Sequence, residues 1–268
     1  MTAQLTFIND DTRPGTGMSS EISRGLSVHR DGEDLLQEGL GLGAIALKKG
    51  GVTYFPTSST TWRDGPLIIK EFPVDSALIF ESPILPLSRL MSLYGLGTRV
   101  YMTLPRFQDR LLEMRSRLFS KFEVRPVFRR TAPLATAIFT YLPGDGSVAV
   151  GVTVRSTNGP LPEVFIMNEL GAGHFDSSMV NGTVGSAPTG WCELPWAMPT
   201  PALADVRGGT TFRLERVRCG DGAEPRLYWG RERSEDLCWA GFEIELSNLD
   251  GRPAMSLDYE VRFGRLET

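Results

Sequence analysis

Met255-Ser256-Leu257-Asp258-Tyr259-Glu260-Val261-Arg262-Phe263 alternates between apolar and polar side chains without a break, and this stretch decides the fold class. Successive side chains of a strand point to opposite faces, so Met255, Leu257, Tyr259, Val261 and Phe263 share one face. Ser256, Asp258, Glu260 and Arg262 share the other. One buried and one solvated face is the mark of an antiparallel sheet.

Working outward, Asn248-Leu249-Asp250-Gly251 carries turn residues and reads as a hairpin joining this strand to a run at 237–246. Thr210–Val217, Arg226–Trp229 and Val164–Met167 are further short apolar runs. Ala135–Leu142 and Ser147–Arg155 bracket Pro143-Gly144-Asp145-Gly146, with Val148, Val150, Val152 and Val154 on one face. Ala44–Leu47 and Val52–Phe55 flank Lys48-Lys49-Gly50-Gly51, a hairpin signal. Leu67–Ile69 and Ala77–Phe80 read as two more short strands. The period changes once. Phe107, Leu111, Met114, Leu118 and Phe122 recur at helical spacing, with Thr103 as N-cap and Pro105 in the first turn.

The expected fold is mainly β: an antiparallel β-sandwich or barrel, compatible with a jelly roll, crossed by one long amphipathic helix at about 105–122. Residues 1–38 read as an irregular lead-in, with a short helix at Glu33–Gln37. Residues 39–268 read as the β-rich globular region, with a split near 85–125 into a smaller and a larger β unit as one arrangement. The Pro/Gly-rich stretch from Asn181 to Thr210 is expected to be a long loop.

The chain has 268 residues, 41% hydrophobic and 22% charged, and belongs with ordinary globular proteins rather than disordered ones. Three cysteines without a CxxC pair argue against a disulfide framework and against a thiolate zinc site. No signal segment and no apolar run of spanning length is present, so the expectation is a soluble, cytoplasmic protein with no transmembrane segment. Neither a metal nor a cofactor is expected. Gly39-Leu40-Gly41-Leu42-Gly43-Ala44 fits the GxGxxA pattern, but a strand rather than a helix follows it, so a glycine-rich strand entry is the better reading.

Charge is distributed unevenly. Net charge is −4, yet Arg99 to Arg130 carries +6 and the remainder −10. Arg106, Arg110, Arg117 and Lys121 fall opposite the apolar stripe of the helix, and Arg129 and Arg130 follow it. Guanidinium forks suit anions, so these six are the candidate anion-binding residues. A non-catalytic interaction or assembly protein is the first functional reading: the basic helix would meet nucleic acid, anionic lipid or an acidic protein. Homo-oligomerisation is compatible with it.

The alternative is a cofactor-independent lyase, isomerase or cyclase acting on an apolar small molecule in a pocket lined by Trp191, Trp196, Trp229 and Trp239. Glu193, Glu232, Asp236 or His174 would move protons there. His174 also stands in a glycine-containing loop with Glu169 and Asp176. Cys192, beside Glu193, reads as an inert thiol.

Overall fold

The computed structural model describes residues 4–9, 20–37, 39–84, 86, 108–194, 200–220, 223–233, 238–249 and 251–266. Eighteen strands and one helix are formed among them. A small antiparallel sheet holds β1 (Leu5–Ile8), β2 (Ser27–Arg30) and β3 (Glu33–Asp34) in that order. The remaining strands are β4 (Gly41–Lys49), β5 (Val52–Phe55), β6 (Thr60–Asp64), β7 (Leu67–Glu81), β8 (Arg125–Gly144), β9 (Ser147–Ser156) and β10 (Glu163–Leu170). They continue as β11 (Ser177–Val180), β12 (Thr183–Ser186), β13 (Gly190–Leu194), β14 (Ala202–Asp205), β15 (Thr210–Cys219), β16 (Arg226–Arg233), β17 (Cys238–Leu246) and β18 (Ala254–Arg265). These form one 15-stranded sheet in the order β12-β11-β14-β15-β18-β9-β8-β7-β5-β4-β10-β17-β16-β13, with β6 paired to β7. Every pairing in it is antiparallel.

A sheet this wide buries its apolar face by folding over on itself. Contacts across the fold show the two layers meeting. Phe212 of β15 packs edge-on against Phe242 of β17 with ring centroids 5.3 Å apart. The Tyr259 hydroxyl of β18 donates to Asn168 Oδ1 of β10 at 3.0 Å. The core takes Val148, Val150, Val152 and Val154 from β9 and Met255, Leu257, Tyr259, Val261 and Phe263 from β18, the faces that alternation marks out. The mainly β, sandwich-like expectation holds.

Turn chemistry is also as read at two places. Gly50 and Gly51 join β4 to β5 at φ 59° and 80°, the left-handed conformations that a two-residue hairpin turn needs. Gly51→Ala is expected to cost about 1 kcal/mol, measured as a shift in the denaturant midpoint. Gly144 and Ser147 close the β8–β9 hairpin.

Several expectations are corrected. Residues 5–34 carry β1, β2 and β3 rather than an irregular lead-in, and Leu26, Val28, Leu35 and Leu36 are fully buried in the main core. No helix forms at Glu33–Gln37, because Glu33 and Asp34 pair with Arg30 and His29. The main core takes residues from both sides of 85–125. Leu67–Ile69 and Ala77–Phe80 belong to one strand, β7, which passes through a bulge between Val74 and Ser76. The stretch from Asn181 to Thr210 contains β12, β13 and β14. Asn248-Leu249-Asp250-Gly251 is not a hairpin: β17 pairs with β10 and β16, while β18 pairs with β9 and β15. That turn carries the chain from one layer to the other.

The helix, α1, spans Gln108–Lys121 and is shorter than the expected 105–122; residues 105–107 lie outside the described ones. Glu123 at φ 50° stops it, and the Ser82 hydroxyl donates to the Phe122 carbonyl at 2.6 Å. Its apolar stripe does not face the core: Met114 is 53% exposed and Leu118 45%. Instead Phe119 packs on Phe80 of β7 at 5.4 Å, and one turn earlier Arg115 reaches Glu232 of β16 at 3.4 Å. In the sheet β7 and β16 are separated by β5, β4, β10 and β17. On a flat sheet that is roughly 24 Å at the usual strand spacing, whereas one helix turn advances only about 5 Å. The reach of the side chains at the two contacts spans the rest, so α1 bridges β7 and β16 on one face of the sheet.

Candidate active site

Register places the side chains on the face of the sheet that α1 bridges. β10 turns Val164, Ile166, Asn168 and Leu170 into the core, so Phe165, Met167 and Glu169 face the other way. Cross-strand pairing then aligns Glu169 with Gly241 and Gly230 and with Trp191 of β13. The neighbouring row runs Met167, Glu243, Tyr228, Glu193. Trp239 opposes Glu232 at the end of β17 and β16. Ala44, Ala46 and Met167 form an apolar floor beside these rows, with Ile22 and Leu40 packed against them.

Three carboxyls meet here in surroundings that resist charge. Glu169 is 6% exposed; burial, opposed by a 3.2 Å hydrogen bond from the Leu40 amide and reinforced by Glu232, pushes its pKa up to about 7. Glu243 keeps part of its surface open, yet burial, with repulsion from Glu169 and Glu245 and only partial relief from Lys48, pushes it up to about 8. Glu232 is raised by burial as well, but Arg115 pulls in the opposite sense. Burial and the nearby Glu245 push the Tyr228 phenol up to about 12. Near neutral pH Glu169 therefore stands close to its midpoint while Glu243 mostly keeps its proton, the division of proton affinity that acid–base chemistry uses.

Trp191 and Trp239 stack on each other with centroids 4.0 Å apart and planes 19° apart. Close backbone approach requires the neighbouring glycines: a Cβ on Gly241 would meet the Asn168 carbonyl oxygen at 2.3 Å, and one on Gly230 the Gly190 carbonyl oxygen at 1.8 Å. Trp239 is buried and Trp191 half-buried.

Of the residues expected to line a pocket, Trp191, Trp239, Glu193 and Glu232 share this face. Trp229 lies on the opposite face against Phe242, at 6.5 Å. His174 stands elsewhere, with Nδ1 4.0 Å from Asp205 Oδ2, so Glu169 and His174 do not work together. Trp196 and Asp236 lie outside the described residues. Glu243 escaped the sequence reading: in Phe242-Glu243-Ile244-Glu245 it looks like the solvated half of an ordinary strand.

The glycines of 39–44 serve packing. A Cβ on Gly43 (φ 76°) would meet Phe139 and the Tyr141 hydroxyl at 2.8 Å. Among the described residues no group of three or more His, Cys, Asp or Glu is arranged to hold a metal ion, and no helix is long and apolar enough to cross a membrane.

The signature of the carboxyls is a stability that falls as pH rises. A carboxyl with a raised folded-state pKa holds its proton better in the native state, so its contribution is complete below the unfolded value near 4.3. It is lost as pH climbs through about 7 for Glu169 and about 8 for Glu243. The difference in unfolding free energy between wild type and Glu169→Gln should change by on the order of 3 kcal/mol from pH 5 to pH 8, with the variant favoured at the alkaline end. Urea titrations at both pH values measure it.

No family model and no curated protein sequence matches the chain. Solved structures do. An aldose epimerase homologue from C. elegans aligns over 99% of this chain and 100% of its own, at 8% identity and TM-score 0.40. A protein described as a putative aldose 1-epimerase from Escherichia coli K12 aligns over 98% and 100%, at 8% identity and TM-score 0.38. A galactose mutarotase-like protein from Clostridium acetobutylicum covers 82% of this chain and 75% of its own, at 10% identity and TM-score 0.31.

The reading of a non-catalytic assembly protein with an anion-binding helix is corrected. The basic residues do not form one surface. Arg106 lies outside the described residues, and Arg110, Arg117 and Lys121 are exposed on α1. Arg129 Nη2 lies 2.6 Å from Glu81 Oε1. Arg130, the next residue of β8, points to the opposite face.

Proposed function

We propose that this chain is a cofactor-independent isomerase that moves protons between Glu169, Glu243 and a small neutral substrate on the face of the sheet that carries them. The observation that carries the reading is the Glu169–Glu243–Glu232 cluster: burial brings Glu169 to about 7 and Glu243 to about 8, and it raises Glu232 as well against the pull of Arg115. An aldose suits such a site. Opening its ring needs one base to take the proton of the C1 hydroxyl and one acid to protonate the ring oxygen as the C1–O bond breaks. Rotation of the free aldehyde and reversal of both transfers give the other anomer, with no cofactor consumed. An indole offers a flat apolar surface to the C–H face of such a ring, and Trp191 is the half-buried member of the stack.

Polarimetry of freshly dissolved α-D-glucose and α-D-galactose tests the proposal. The expected result is equilibration of the anomers faster than the spontaneous rate, in proportion to enzyme. Rates equal to buffer alone for both sugars would overturn it.

A further inference from the structure

Behind Glu169, on the core side of β10, stands Asn168, fully buried between the layers. Its side-chain oxygen is used twice: Oδ1 accepts the Tyr259 hydroxyl at 3.0 Å and the Gly43 amide at 3.1 Å. Gly43 is the extra residue of a β-bulge. β10 pairs Met167 with Ala44 and then Asn168 with Leu42, so Gly43 has no residue opposite it on β10. Its φ of 76° is the left-handed conformation that such a residue takes, and its carbonyl accepts the Tyr141 hydroxyl at 3.4 Å. Side chains of the core thus hold both polar groups of the bulged residue.

The bulge decides what meets Glu169. Beyond it Glu169 pairs with Gly41, and the Leu40 amide donates to Glu169 Oε2 at 3.2 Å. An unbroken register would set Leu42 opposite Glu169 and displace the Leu40 amide by one residue along the strand, about 3.3 Å. A hydrogen bond does not survive that shift.

We propose that Asn168 is a positioning residue of the carboxyl site, pinning the Gly43 bulge from the core side and so fixing the Leu40 amide against Glu169. The inference rests on the reading of Glu169 as a reacting group and adds the device that sets its hydrogen bond. The titratable and charged groups facing Glu169 are Glu243 of β17 and Glu232 of β16, the latter with Arg115 of α1 beside it. Burial and Glu232 favour the proton on Glu169, and the Leu40 amide opposes them. Loss of that amide leaves the proton more firmly held.

The experiment is an NMR pH titration of protein with ¹³C-labelled glutamate side chains and a ¹⁵N-labelled backbone, using Glu169→Gln to assign the resonance. In the wild type the Leu40 amide proton should shift with the Glu169 midpoint. Asn168→Leu keeps the volume and removes the acceptor. There the Glu169 midpoint should rise by about half a pH unit or more, and the Leu40 amide should stop following it. Tyr259→Phe removes the other hydrogen bond on the same oxygen and spares Gly43, so the midpoint should stay within about 0.2 unit of wild type. A Leu40 amide that ignores Glu169 in the wild type would overturn the proposal, and this readout needs no variant to fold. An unmoved midpoint in Asn168→Leu, or equal shifts in both variants, would overturn it too. No readout uses turnover, so sugars left unequilibrated would sink the isomerase reading without touching the link from Asn168 to Glu169.

Discussion

Glu169→Gln is expected to lower kcat for anomer interconversion by about 10²–10⁴-fold, the usual worth of a positioned general acid or base, with little change in KM. Glutamine matches the shape of glutamate and keeps an oxygen to accept the Leu40 amide, now 3.2 Å from the carboxylate. It cannot give or take a proton. What distinguishes this from damage to the fold is the opposite movement of stability. In the wild type a carboxyl with a pKa of about 7 is ionised at pH 8 in a place that is 6% exposed. The neutral amide avoids that cost, so at pH 8 the variant should be slower in catalysis and higher in Tm. A variant that loses activity and Tm together would show that Glu169 is structural.

The second large effect is on stability and concerns a buried ion pair at the other end of the fold. Arg30 of β2 donates to Asp205 Oδ2 at 2.6 Å and to Glu33 at 3.0 Å, and Asp205 Oδ1 accepts the Gly208 amide at 2.8 Å. Arg30 is 8% exposed and Asp205 3%. Gly208 makes the approach feasible, since a Cβ there would meet Arg30 Nη1 at 1.8 Å. Asp205→Ala leaves the guanidinium with the more exposed Glu33 and the neutral Thr210 hydroxyl at 3.2 Å, and breaking a buried pair from one side costs about 3–5 kcal/mol. For a chain of this length that is a fall in Tm of roughly 10 °C, read by calorimetry. The paired change Arg30→Met with Asp205→Leu should recover most of it, because two apolar groups need no partner. An equal loss in the double variant would mean that shape, not charge, holds β2 to β14.

The same contact shows why the N-terminal stretch is hard to read. Arg30 and Asp205 are 175 residues apart, and each looks like an ordinary surface charge among polar neighbours. Only the meeting of β2 with the β14–β15 turn makes them a buried pair. The helix teaches the converse. Its stripe of Met114 and Leu118 was legible, but burial of a stripe needs a surface to receive it, and here the sheet takes Phe119 and Arg115 instead.

Alternation is a local property, set by the geometry of one strand, and it determined β9, β18 and the mainly β character of the chain without any neighbour. Turn glycines determined the β4–β5 and β8–β9 hairpins for the same reason, since left-handed backbone is a matter of one or two residues. Which strand lies beside which was left to the tertiary structure. Asn248–Gly251 carries hairpin chemistry and yet crosses between layers. Glu169, Glu243 and Glu232 become one cluster only when β10, β17 and β16 pair in register. The sequence offers Glu232 and Glu169 as separate candidates and Glu243 as an ordinary solvated glutamate, because burial and mutual repulsion, the forces that alter their proton affinity, exist only once the strands have met.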